Sequence, residues 1–503
     1  MNRVPHGLAA NSSLPASLVD RLIALADEDL ASELAERGDL RHDQVVALAA
    51  RDEHTARSLA FAGLLTAADV DPVARPLTAL ALLDTGAGRP EWARLLARHP
   101  VVRHREESAS CAGLPDDVIE ALAVDPALDV VHELAAFTPE PAMAARLARH
   151  PHAQVRRGVA VNEATPPAVP AAMLTGEGLP AATACLVCDS KPIPYEHDPN
   201  CPDPDCTLFG GAACDGSHQS TVHDTLHGVL GNPATPPDVA ARFVDHPSLL
   251  LRWSLAERPG LPPEVYARLA RDPAPGVRAA VAGNPAVGDE TLRTIAAGPD
   301  PAVRRALAHH PALPLDVLTT LAETTRLGSA TLPRIAAAST DELRELAAGR
   351  PSVRALVAAR HDLPPDLRDA LAADPDAKVL RAVAPHPGLT EELLRAMVAT
   401  HGAGVHARVA ANPGAPGALL EELARQEPPV RRALREIAGH PNATAGALAR
   451  CLGDPRAAEI AAAHPALSPS LLASLLTGPD EGLAEAAARN PALPREVMER
   501  LVP

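Results

Sequence analysis

The sequence predicts an all-α fold: a right-handed α-solenoid of about 17 short two-helix repeats, ~25 residues each, interrupted by one irregular metal-binding insertion. Three observations carry that expectation. A short phrase closed by Asn-Pro or His-Pro returns at a nearly constant step along most of the 503 residues. Hydrophobic residues make up 47% but aromatics only 2%, so Ala, Leu and Val must fill the interior, which suits thin layers of closely spaced helices. Prolines number 53; with this apolar content the chain is not a disordered Pro-rich one, so they belong at regular element boundaries.

Asn232, Arg258, Asn284 and His310, each followed by proline, stand 26 residues apart. The slot returns at Arg360, His386, Asn412, His440, His464 and Asn490, in steps of 26, 26, 28, 24 and 26, with one weak copy between 310 and 360. Towards the N-terminus the units are less regular, around Gly38, Gly63, Cys111, Phe137 and Asn162. Within a unit, "VRAAVAGN" (Val277 to Asn284) spaces apolar residues along one helical face. The Asn, His or Gly that closes it is expected to turn left-handed, and the proline behind it forbids another turn. "LPPEVYARLARDP" (Leu261 to Pro273) is the second helix, with prolines at its start, where no N–H is needed, and Asp272-Pro273 at its end. Two-turn helices do not stand alone in water, so each unit must bury its apolar face on its neighbours. The expected organisation is an N-terminal extension over 1–20, repeats over 21–176, the insertion over 177–224, and repeats again over 225–503.

Two recurring polar series invite a functional reading. Arg156, Arg252, Arg278, Arg304 and Arg431 hold one position; they form either a basic stripe or, as expected of surface charge, bonds to the preceding unit's carboxylates and carbonyls. His310, His386, His440 and His464 resemble a ligand series, but they alternate with Asn, which points to helix ending. Cys111 in that slot and Cys451 in a repeat helix read as small buried fillers.

Stretches such as "LARDPAPGVRAAVAGNP" and "LAADPDAKVLRAVAPHP" resemble the variant leucine-rich repeat family, over most of 20–175 and 225–503. The resemblance implies a bacterial helical solenoid in which an α-helix alternates with a 3₁₀ or short second helix. The units here are slightly longer, closer to HEAT-type repeats. Some members of that family carry a cysteine-bound iron–sulfur domain beside the repeats.

The insertion is where chemistry concentrates. "CLVCDSKPIPYEHDPNCPDPDCTLFGGAACDGSH" (Cys185 to His218) holds five of the seven cysteines, and residues 185–227 carry seven Asp/Glu against one Lys. So short and acidic a segment buries little apolar surface and needs a staple, which metal ligation supplies as folding free energy. The candidate ligands are Cys185 and Cys188 (C-x2-C), Cys201 and Cys206 (C-x4-C), and Cys214 and His218 (C-x3-H), with His197, His223 and His227 nearby. A single zinc fits Cys185, Cys188, Cys201 and Cys206, or equally Cys185, Cys188, Cys214 and His218. "CDGSH" (Cys214 to His218) also resembles the CDGSH iron–sulfur family, which implies a [2Fe–2S] cluster on Cys206, Cys214 and His218. Pro204 stands where that family has a further cysteine, and Ala212 where it has proline. Zinc is the expected metal and an iron–sulfur cluster the alternative, because the acidic surroundings do little to stabilise a highly negative thiolate cluster.

No catalytic constellation is present: there is no GxSxG, no phosphate-cradling glycine loop and no HExxH. The expected function is a non-catalytic scaffold that binds a protein or peptide on the concave face of the solenoid. The alternative is an iron–sulfur redox- or metal-responsive regulator. A HEAT-like nucleic-acid binder is opposed by the net charge of −17 and by the scarcity of stacking residues, Trp92, Trp253, Tyr195 and Tyr266. The first twenty residues lack the apolar run of a signal peptide, and no apolar stretch reaches about 18 residues. A cytoplasmic protein, with reduced thiols and no membrane span, is expected. Oligomeric state is not legible.

Overall fold

Proline sets the helix lengths. Helices such as Pro263–Leu269, Pro275–Gly283, Pro301–Ala308, Pro351–Ala358 and Pro365–Ala372 begin at a proline, whose fixed φ suits the first turn. The computed structural model describes residues 3–186, 188, 189, 218 and 222–502. Among them are 35 α-helices and one 3₁₀ turn, mostly of 6–11 residues, and no strand beyond a single isolated bridge. None is long and apolar enough to cross a membrane. The segment read as an N-terminal extension already carries helix Val4–Ala9 and the start of helix Ala16–Leu25.

The chain forms two units, Met1–Leu59 with Leu318–Pro503, and Ala60–Val317. In both, the first helix of a repeat packs on the first helix of the next: Leu128–Phe137 on Ala153–Val161, Pro275–Gly283 on Pro301–Ala308, Pro351–Ala358 on Ala377–Val383. The interior is correspondingly aliphatic. Val118, Ile119, Leu122, Val130, Leu134, Leu147, Val155 and Val159 belong to one buried cluster in the second unit. Each such side chain stabilises the stack by roughly 1.5–3 kcal/mol, and only because a neighbouring repeat covers it.

The slot residues do not turn left-handed, as the sequence pattern suggested. Asn162, Asn284, His464 and Asn490 are extended, with φ from −79° to −65°. Their side chains tie repeats together instead. Asn284 donates Nδ2–H to Ala256 O (2.8 Å) and Arg258 O (2.9 Å) of the preceding repeat, while its Oδ1 accepts from Ala286 N (3.0 Å). Asn162, Asn412 and Asn490 repeat the pattern. Histidine does the same work with two nitrogens: His464 Nε2–H donates to His440 O (3.0 Å) and Nδ1 accepts from Ala466 N (3.1 Å). Arginine reaches equally far: Arg258 Nη1 donates to Leu230 O and Asn232 O, and Arg360 Nη1 to Ile335 O and Ala338 O. The slot thus selects for a donor long enough to satisfy carbonyls left over at the preceding helix end.

This geometry requires the histidines neutral, since Nδ1 must accept. Burial lowers the pKa of His310 and His464 from the ordinary 6.5, against an opposing pull from the carbonyls they bond. The folded chain therefore binds fewer protons than the unfolded one. Their contribution is complete above pH 6.5 and is lost as pH falls through the lowered values. The urea midpoint is expected to drop as pH falls below about 6.5, and the drop is expected to shrink in a His310→Asn, His464→Asn double variant. Equal pH profiles for the two proteins would contradict it.

Most of the arginine series bonds within its own repeat and to the following one, while Arg304 reaches back to Ala296 O at the end of the preceding repeat (3.4 Å). Arg252 donates Nη1–H to His246 O and Pro247 O of its own loop and pairs Nε with Asp272 Oδ2 (2.6 Å) of the next repeat. Arg105–Asp125 and Arg354–Asp374 are equivalent, at 2.7 and 2.6 Å. Burial alone would raise Asp125 and Asp374, yet the guanidinium and a backbone N–H hold both below the usual carboxylate range. The guanidinium groups of Arg105, Arg252 and Arg354 are thus engaged in pairs and carbonyl bonds.

The first unit joins the two ends of the chain. Helix Val4–Ala9 packs on helix Glu481–Arg489 as successive first helices do elsewhere. Asn11 Nδ2 donates to Ala488 O (2.9 Å) and Asn490 O (2.8 Å), which is the bond pattern that Asn490 makes to Ala462 and His464. Residue 11 therefore occupies the slot that would follow 490. Gly7 permits the contact: a Cβ there would lie 2.1 Å from Glu485 O.

Candidate metal centre

The insertion leaves the array without disturbing it. Asn232 Nδ2 donates to Ala160 O (3.0 Å) and Asn162 O (2.9 Å), bridging 72 and 70 residues where the asparagines of other slots bridge 24 to 28. Arg157 pairs with Asp224, and Gly228 gives helix Val222–Gly231 a close approach to Val161. Repeats on either side of the insertion are thus direct neighbours. Helix Ala168–Thr175 ends at Gly176, whose φ of 72° only glycine adopts cheaply, and the chain turns out of the stack there.

It then bends at Gly178, φ 80°, and runs along the repeat beneath. Arg149 Nη1 donates to Gly178 O (3.0 Å) and Arg156 Nη1 to Pro180 O (2.6 Å). Thr183 N and Ala184 N donate to Pro151 O (2.8 and 3.2 Å), and Ala153 N donates to Ala184 O (3.0 Å). The register of the next residue, Cys185, is thereby set by the array, and Cys185 is fully buried. Asp189 N returns to Cys185 O (3.1 Å), closing a turn that brings Cys188 back over Cys185.

Cys185 Sγ, Cys188 Sγ and a ring nitrogen of His218 lie within 4.8 Å of one another. Cys188 Sγ is 3.7 Å from Cys185 Sγ and 3.4 Å from His218 Nδ1. His218 is the one non-glycine with positive φ among the described residues, at 56°, a conformation that costs on the order of 1 kcal/mol and persists where something holds it. Two thiols and one imidazole suit a soft or borderline ion, zinc or iron, once the thiols ionise. The spacing C-x2-C and the distant imidazole are thus brought together. Cys201, Cys206 and Cys214 lie outside the described residues, as do His197 and the side chain of His223. His227 sits elsewhere, bonded to Ser254 on the neighbouring repeat.

Two residues beside the cluster escaped the motif search. His152 caps helix Ala153–Val161 through Nδ1, which accepts from Gln154 N (3.0 Å), and holds Asp189 through Nε2 (3.2 Å). It pins the C-x2-C turn to the array, and its only sequence signal is an imidazole in the position after His150-Pro151. Cys111 and Cys451 are buried, and burial pushes each thiol up to about 12, so neither is a reactive or ligating group.

Neither protein-family models nor curated protein sequences yield a match to this chain. Among structures, a homology model of the full-length AP-3 complex in an intermediate open conformation aligns over 97% of this chain and 86% of that one, at 12% identity and a TM-score of 0.18. That superposition is too loose to transfer anything from that complex to this chain.

Proposed function

We propose that this chain is a protein-binding scaffold without catalytic chemistry of its own, whose inserted module is stapled to the repeats by zinc on Cys185, Cys188, His218 and one further thiol. The proximity of two thiols and an imidazole, one thiol buried and set in register by the array, is the observation that carries it. Cys214, four residues before His218, is the fourth ligand that the C-x3-H spacing favours. The reading as a scaffold rests on the repeats, which present a continuous surface for a protein or peptide and keep these arginines in pairs and carbonyl bonds. Reduced ligand thiols fit a cytoplasmic setting.

Metal analysis of protein purified under reducing conditions tests this. About one zinc per chain is expected, with loss of the metal and faster chymotrypsin cleavage within 187–221, at Tyr195 or Phe209, in Cys188→Ser. Iron with acid-labile sulfide and a visible absorption band would replace zinc by the iron–sulfur alternative that the CDGSH stretch suggests. Metal-free wild-type protein would refute the staple.

A further inference from the structure

The sequence "LARHP" occurs twice in the second unit, at Leu96–Pro100 and Leu147–Pro151. Both copies link a second helix to a first helix, and both make the same turn. His99 Nδ1 accepts from Val101 N, and His150 Nδ1 accepts from His152 N, each at 3.1 Å. At the second copy this edge is occupied by the chain's own segment 178–184, which bends at Gly178 and is held by Arg149, by Pro151 O and by Ala153 N, as described above. Under it His152 is 5% and Ala153 6% exposed.

At the first copy the counterparts stand uncovered. Val101 and Val102 are 47% and 40% exposed. Arg98, the counterpart of Arg149, makes no guanidinium hydrogen bond among the described residues, unlike Arg94 beside it, which pairs with Asp117. Pro100 O receives only a 3.4 Å contact from Arg105. The N–H of Val102, in the first turn of helix Val102–Ala109, is a donor that the helix cannot satisfy itself. Beside them opens a groove of about 570 Å³ lined by Pro72, Val73, Leu95, Arg98, His99 and Pro100, with Arg94 already paired to Asp117; Val73 in it is 71% exposed.

We infer that this edge docks an extended, uncharged segment of a partner protein, in the manner in which residues 178–184 lie on the second copy. Arg98 and the Val102 N–H donate to the segment's carbonyls, and Pro100 O accepts from its N–H groups, as in strand addition. Main-chain bonds supply the register, and Val73, Leu95, Val101 and Val102 take an apolar side chain. A segment of Gly-Leu-Pro-Ala-Ala-Thr-Ala character fits, since that is the sequence of 178–184. The inference rests on the scaffold reading and names its docking edge and partner class.

A fluorescein-labelled, end-capped peptide with the sequence of residues 178–184 is titrated with the full-length protein and followed by anisotropy. Saturable binding is expected, weakened tenfold or more by Arg98→Ala and by Val102→Pro. Proline is tolerated at a first helical position, and Val101 already has the extended conformation a following proline needs, φ −79° and ψ 120°, so Val102→Pro removes one donor and leaves the fold. Unchanged thermal unfolding checks that. Absence of saturable binding up to millimolar protein overturns the inference. Binding that Val102→Pro leaves intact also overturns it, placing docking on another surface and leaving the scaffold reading standing. Wild-type self-association that Val102→Pro abolishes makes the occupant a second copy and overturns the partner assignment. Metal content, read on the same samples, reports on the staple independently.

Discussion

A chain lacking residues 1–25 is expected to lose hydrogen-exchange protection in helices Glu481–Arg489 and Arg495–Leu501, at the far end of the sequence. The deletion takes away Asn11, which satisfies Ala488 O and Asn490 O, and Arg21, whose Nη2 donates to Val502 O at 2.6 Å. It also strips the buried Leu8, Leu14, Leu18, Leu22 and Ile23, each worth roughly 1.5–3 kcal/mol of burial against a neighbour. Protection factors in the two helices should fall by a hundredfold or more, about 3 kcal/mol of local stability. Gly7→Val offers a milder version, because its side chain must force helix Val4–Ala9 off Glu485 O. Unchanged protection in both variants would mean that the two ends do not cap each other.

Asn284→Ala is expected to destabilise the second unit by about 3–5 kcal/mol, large for one surface-sized side chain. The substitution leaves Ala256 O and Ala286 N without their side-chain partner, and Arg258 O with the Tyr266 hydroxyl alone, in a site only 4% exposed. Asn284→His should cost far less, since His310, His440 and His464 satisfy equivalent groups through Nε2 and Nδ1. Hydrogen exchange in helices Leu249–Glu257 and Pro275–Gly283 reads the local effect where whole-chain unfolding is not two-state. Alanine and histidine variants of equal stability would remove the basis for the ladder.

The period and the proline boundaries were legible because they depend on local rules: a helix start tolerates proline, and an apolar face needs its spacing. The function of the slot was not. Asn, His and Arg at one position looked like helix-ending residues, because a pattern reports the residue and not the carbonyl it reaches in the preceding repeat. The direction of the arginine pairs was hidden for the same reason, since acids recur on both sides. That Asn11 follows Asn490 could not be read at all: repeat faces are near copies, so sequence alone does not say which copy covers which. At the candidate metal centre, the C-x2-C and C-x3-H spacings named Cys185, Cys188 and His218. Spacing left open whether the first pair meets His218 or another thiol, because that depends on how the chain returns from Cys188 to a residue 30 positions on.

The unbroken bond from Asn232 to Asn162 has an evolutionary corollary. Because the repeats flanking the thiol segment already meet, the segment behaves as a cassette that a gene can gain or lose in one event without shifting the phase of the rest. Excision would still bare His152 and Ala153, leaving an edge like the one that Val101 and Val102 present.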